Sequence, residues 1–196
     1  MASLYGNEWK DHLKEYLSPE QQEMTSYVIS EMQLIILNAS LWHCRQPWAV
    51  PERKVTDNLI LILEKGTLDV QVADQRQTII PGNCVFIPEN LNHSYGFHEG
   101  CSECSLFVMH ALPLHPSIEH PFSGLDSFFQ NLEYSAATFS MLRRGIALRN
   151  YNQNEAFAYV SWVVQSIILD LVSAGHYRKE TKNYTSSRIK EAYRFI

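Results

Sequence analysis

The sequence predicts a mainly β domain, a barrel or sandwich of short strands, with helices before and after it. Three observations lead there. Apolar runs of strand length at 34–37 and 58–63 are bounded by Pro47, Pro51 and Gly66. Residues 67–72 alternate, with Leu68, Val70 and Val72 on one face and Thr67, Asp69 and Gln71 on the other. Turn chemistry then recurs at close intervals, at 73–76, at Pro81-Gly82 and at Pro88.

Each element follows from its local pattern. Residues 1–33 are polar and helix-prone: Trp9, Leu13, Tyr16 and Leu17 recur at helical spacing, and Ser18-Pro19-Glu20 has the form of a new helix start. Strands follow at 34–37, 58–63, 67–72, 78–80, 84–87 and 104–109, placing a barrel at 34–111. Pro113, Pro116 and Pro121 make an extended connector, and 126–134 is predicted helical, with Phe128, Phe129 and Leu132 grouped. Residues 135–152 fit no single pattern. A strong helix runs from Glu155 to about Ala174 and ends at Gly175. Within it Phe157, Val160, Val164, Ile167 and Leu171 form a packed seam, while Tyr159, Trp162, Val163 and Ile168 lie outside it. Two readings fit: a fully buried helix, or one face on the barrel and another on a partner.

Composition excludes several classes. The 196 residues carry a net charge of −5, the opposite of a surface that wraps nucleic acid. With 45% hydrophobic and 19% charged residues, disorder is ruled out. Four cysteines are too few for a disulfide scaffold in a chain of this length. The N-terminus has no basic start followed by an apolar run. The most apolar stretch, 157–172, is interrupted by Ser161, Gln165, Ser166 and Asp170, short of the about 20 residues of a membrane span. The expectation is a cytoplasmic protein with no membrane partner. Cys101-x2-Cys104, with His98 or His110 nearby, lacks a second C-x2-C, and strand residues three apart face opposite ways, so neither zinc nor redox chemistry is expected there. Arg143-Arg144 with Lys179 and Lys182 reads as solvated surface, and His115 and His120 lack companions for a catalytic set. Nucleotide-binding loops and the serine-hydrolase elbow do not occur.

The most informative stretch runs from Gly82 to His93 as G-x5-P-x-N-x2-H. It resembles the second half-motif of the cupin superfamily, with Asn90 where a glycine is usual, and so implies a double-stranded β-helix, a jelly-roll barrel. Cupin enzymes take metal ligands from a first half-motif, H-x-H-x3-or-4-E-x6-G. Counting back from Gly66 puts Leu59 in the carboxylate position and Arg53 and Val55, or Glu52 and Lys54, in the histidine positions. No imidazole results, and a lone His93 does not hold a transition metal. A metal-free cupin without a cofactor is therefore expected.

The run from Arg53 through Gly66 to His93-Ser94-Tyr95-Gly96 resembles the ligand-binding domains of AraC-type transcriptional regulators. Phe107-Val108-Met109-His110 falls where that family has a strand written W-x-H-F, with Val108 replacing the tryptophan. The helix at 155–174 lies where the family dimerises, making 112–178 a connector and dimerisation segment. Residues 184–196 look like the first helix of the family's DNA-binding domain: Ile189, Ala192, Tyr193 and Ile196 share one face, and the pattern breaks off unfinished. The resemblance implies a homodimeric, non-enzymatic effector sensor. DNA would be contacted only through a helix-turn-helix domain beyond this sequence. It implies ligand contacts at Arg53 and Tyr95, to which neighbouring Trp42 would add a flat face and His93 a side chain aimed the same way by the hairpin; a sugar is one candidate effector, although Leu106 and Val108 are apolar where sugar sensors place polar or indole side chains. It implies dimer contacts at Tyr159, Trp162, Val163 and Ile168. The bland alternatives are an Arg53 paired with Glu52 or Asp57 at the surface and a His93 hydrogen-bonded in the core. The functional alternative is a metal-free cupin isomerase or lyase using His93 and Tyr95 as acid–base groups.

Overall fold

The computed structural model describes residues 18–19, 21–23, 25, 34–113, 122, 125, 127–131 and 136–174. The expected helix at 9–17, the glycine cap at Gly175, His115, His120, Lys179, Lys182 and the expected helix at 184–196 lie outside the described residues.

Nine strands and two long helices are described: β1 (Leu34–Arg45), β2 (Ala49–Arg53), β3 (Asn58–Lys65), β4 (Leu68–Val72), β5 (Gln75–Ile79), β6 (Asn83–Ile87), β7 (His93–Phe97), β8 (Glu103–Pro113), β9 (Phe129–Asn131), α1 (Ala136–Leu148) and α2 (Gln153–Ser173). One sheet has the order β1-β8-β3-β6-β9 and the other β2-β7-β4-β5, with every pairing antiparallel. Without β9, the order 1-8-3-6 facing 2-7-4-5 is that of two interlocked Greek keys, the jelly roll of cupins. The fold is a mainly β double-stranded β-helix carrying helices.

Strand period explains which residues face where. On β4, Leu68, Val70 and Val72 are buried and Asp69 and Gln71 half-buried, as the alternation requires. β3 is apolar on both faces because both are covered. Leu59, Leu61 and Leu63 join the core between the sheets, while Ile60 and Ile62 join a second core beneath the helices. β6 divides likewise, Val85 and Ile87 inward and Cys84 and Phe86 outward, as does β8, with Leu106 and Val108 inward and Phe107 and Met109 outward.

The helices complete the second core. Ser18 and Gln21 form a reciprocal capping box: Gln21 N donates to Ser18 Oγ at 3.2 Å, and Ser18 N donates to Gln21 Oε1 at 2.8 Å. The Gln21 amide then donates to Ser173 O at 2.8 Å, capping the last turn of α2. α2 starts two residues before the expected Glu155, where the Asn152 side chain accepts from Asn154 N and Glu155 N. By length and composition α2 is apolar enough to cross a membrane; here Ala156, Val160, Val163, Val164, Ile167, Ile168, Leu171 and Val172 are buried in the fold.

Two expectations change. Residues 129–131 form a strand, not part of a helix: β9 pairs with the edge of β6, where the ladder satisfies backbone donors that the edge would otherwise leave open. Phe129 is thereby turned into the inter-sheet core. Val163 and Ile168, 1% and 0% exposed, are buried within the chain because the apolar face of α2 is wider than the predicted seam. They have no surface to offer a partner, so the accessible part of the expected dimer face narrows to half-buried Tyr159 and exposed Trp162. Arg143 and Arg144 are exposed, as expected of solvated surface, and Arg143 also pairs with Glu64 at 2.8 Å, tying α1 to β3.

Candidate functional site

The half-motif folds as its residues dictate. Gly82 N donates to Leu63 O at 2.9 Å, β6 follows, and it stops at Pro88. Asn90 sits at φ +63°, the left-handed conformation that asparagine tolerates better than other side chains, which accounts for its standing in for glycine. The turn starts β7 with His93 pointing inward, fully buried.

Arg53 reaches the same face through a bulge. β2 pairs Val50 with Tyr95 and then Arg53 with His93, so two residues of β2 oppose one of β7. An extra residue inverts the side-chain phase, bringing Arg53 onto the side of Val50, Tyr95 and His93. The two carboxylates considered for it are engaged elsewhere, Asp57 with His110 at 3.0 Å and Glu52 with Asn92 at 3.2 Å.

His93 and Tyr95 stack nearly parallel, ring centroids 6.2 Å apart with an interplanar angle of 12°. His93 Nδ1 lies 3.1 Å from Leu91 O, the geometry of an Nδ1–H donating to the carbonyl. Burial pushes the His93 pKa down, and the charges of Arg53 and His110 add to that effect, against the opposing bond to Leu91. A neutral imidazole with its proton on Nδ1 presents a bare acceptor at Nε2. That Nε2 is buried with no hydrogen-bond partner among the described residues, and so is the Tyr95 hydroxyl. Burial pushes the Tyr95 pKa up; the Arg53 guanidinium approaches closely enough to oppose the rise without forming a regular hydrogen bond. Buried polar groups are rarely left unpaired, so two adjacent ones mark a place built to receive hydrogen bonds.

Aromatic side chains surround this pair. Trp48 lies 5.8 Å from Tyr95, 5.9 Å from Phe97 and 6.1 Å from Trp42, which it meets edge-on. Trp42 donates from Nε1 to Ser40 Oγ and stands opposite Leu106 in the ladder. Leu106 and Val108 are fully buried in the same core as Tyr95. The structure therefore brings five of the six expected ligand residues, Trp42, His93, Tyr95, Leu106 and Val108, to the inter-sheet core, while Arg53 stays exposed at the end of β2 with its guanidinium near Tyr95. Trp48 and Phe97 are the additions. Trp48 carries no motif, and nothing in its local sequence marks it; it is placed by the start of β2, half-buried beside exposed Ala49 and buried Val50. No group of three or more histidine, cysteine or acidic residues suited to a metal occurs among the described residues.

Among solved structures the chain resembles cupins. An RmlC-like cupin with a double-stranded β-helix fold from Methanocaldococcus jannaschii is 20% identical at a TM-score of 0.36, over 46% of this chain and 73% of that one. An RmlC-like cupin from Shewanella frigidimarina is 14% identical at 0.35, over 41% and 67%. KdgF from Halomonas sp. is 13% identical at 0.33, over 41% and 78%. No family model matches the chain, and no curated protein matches its sequence. At these scores the likeness adds nothing to what the strand order already shows.

Proposed function

We propose that this chain is the effector-sensing and dimerising module of an AraC-type transcriptional regulator, binding a small molecule in a metal-free cupin barrel. The observation that carries the reading is the pair of buried groups without a partner among the described residues, His93 Nε2 and Tyr95 OH, with Arg53 beside them. Nε2 calls for a donor such as a hydroxyl or amine, Arg53 for hydroxyls or a carboxylate, and the Trp42–Trp48 faces for a flat or apolar portion. In this structure Trp48 fills the space between Trp42, Tyr95 and Phe97, so a ligand stacks on it or displaces it.

α2 packs against β1, and Tyr159 and Trp162 form a ring contact 6.2 Å apart on its more open side, available to a second copy. A ligand alters the pairing of two copies, and of DNA-reading domains attached to them, only by its difference in affinity for the two arrangements. The same His93–Tyr95 pair also suits acid–base chemistry; conversion of a bound compound to product would move the assignment to a cupin enzyme.

A thermal-unfolding screen against small hydroxylated and carboxylated compounds tests the reading. A true ligand at about a hundred times its Kd adds about 2.7 kcal/mol, a rise of roughly 5–11 °C for a chain of this size. The shift is lost in Arg53→Ala and reduced in Tyr95→Phe. No stabilising compound, or stabilisation indifferent to Arg53→Ala, would remove the assignment.

A further inference from the structure

The cysteines that share the barrel core are not the pair suggested by spacing. Cys44 on β1 stands directly opposite Cys104 on β8. Both are buried, 8% and 3% exposed, and both belong to the inter-sheet core. Directly opposed residues of an antiparallel ladder have Cα atoms about 4.5–5.5 Å apart, within the about 4.4–6.8 Å that a disulfide spans. The two thiols lie close enough for each to influence the other's ionisation. Cys101 is held otherwise: its Sγ accepts from Thr67 N at 3.2 Å and donates to Glu103 O at 3.3 Å. Cys84 faces the helical core.

We propose that Cys44 and Cys104 form a reversible disulfide when the protein meets a peroxide, clamping β1 to β8 two residues from Trp42. The Cys44 sulfur, the more exposed of the two, attacks one peroxide oxygen as a thiolate. The O–O bond breaks, hydroxide leaves and takes up the thiol proton as water, and Cys44 becomes a sulfenic acid. The Cys104 sulfur then attacks the Cys44 sulfur. The S–S bond forms, the S–O bond breaks, and the hydroxyl leaves with the Cys104 proton as a second water. Two thiols are oxidised by two electrons, and one peroxide is reduced to two waters.

Burial keeps both thiols protonated, Cys44 above its ordinary value and Cys104 pushed up to about 12, so oxidation is slow at neutral pH and accelerates toward alkaline pH. The clamp would fix the barrel wall carrying Trp42, whose ladder partner Leu106 lies two residues beyond Cys104. It does not depend on the identity of any barrel ligand.

The test treats the whole 196-residue chain, freshly reduced, with hydrogen peroxide at about pH 8.5, near an ordinary thiol pKa, and counts thiols after denaturation. The expected count falls from four to two and returns to four with dithiothreitol, and peptide mapping finds Cys44 joined to Cys104. Cys101→Ser keeps that linkage; Cys104→Ser and Cys44→Ala lose it. Should either core variant fail to fold, the peptide maps of the parent chain and Cys101→Ser decide. An unchanged count, a linkage through Cys101 or Cys84, or a loss that dithiothreitol does not reverse would overturn the proposal.

Discussion

Gly66→Ala lowers the stability of this chain by about 3 kcal/mol, from about 1–2 for the left-handed backbone and about 1–3 for steric overlap. Gly66 has φ +92°, and a Cβ there would lie 2.4 Å from Glu103 O and 2.8 Å from Cys104 Cβ. The turn between β3 and β4 crosses directly over the start of β8, where Lys65 pairs with Glu103. Relief would require moving a backbone carbonyl of a central sheet strand, which its ladder resists. Gly100 supplies the control. It also has a positive φ, +80°, but nothing lies within 4 Å of an added Cβ, so Gly100→Ala loses only the backbone part, about 1 kcal/mol. Denaturant unfolding of both variants checks the difference, and equal losses would mean that the crossing does not constrain the turn.

Acid destabilises the parent chain more steeply than it does His93→Asn. His93 is fully buried and its pKa is held below 6.5 by burial, with Arg53 and His110 pushing the same way. Below pH 6.5 the unfolded chain takes up a proton that the folded chain refuses. Stability is therefore complete above that pH and falls as pH drops from 6.5 toward the lowered folded-state value. A one-proton difference is worth up to about 1.4 kcal/mol per pH unit, comparable to a substantial core mutation. Asparagine keeps a donor near the Nδ1 position for Leu91 O and does not titrate. Melting temperatures of the two proteins measured from pH 7.5 down to about pH 5 should diverge below about pH 6.5. Parallel curves would show that His93 accepts a proton freely in the folded state.

What the sequence discloses and what it withholds divide by range. The alternation of Leu68, Val70 and Val72 and the double-sided apolar run of 58–63 are local consequences of strand period and burial, and they appear in the structure as expected. The half-motif from Gly82 to His93 is legible for the same reason: Pro88, Asn90 and His93 set a turn through their own backbone preferences. Long-range register is not written locally. The bulge that sets Arg53 opposite His93, the docking of 129–131 on β6 and the opposition of Cys44 to Cys104 all depend on which strand becomes a neighbour. Helical periodicity marks α2, but the width of its buried face depends on β1 and α1 beside it, and Val163 and Ile168 are absorbed there.

The most direct test is nitrogen NMR of the His93 imidazole, assigned by comparison with His93→Asn. In the free protein at neutral pH the ring is neutral, protonated on Nδ1 and bare at Nε2. A stabilising compound from the screen should shift the Nε2 resonance toward the hydrogen-bonded range and leave Nδ1 unchanged. A proton already on Nε2, or an Nε2 resonance that stays fixed at saturating compound, would contradict a ligand site at the barrel's His93–Tyr95 pair.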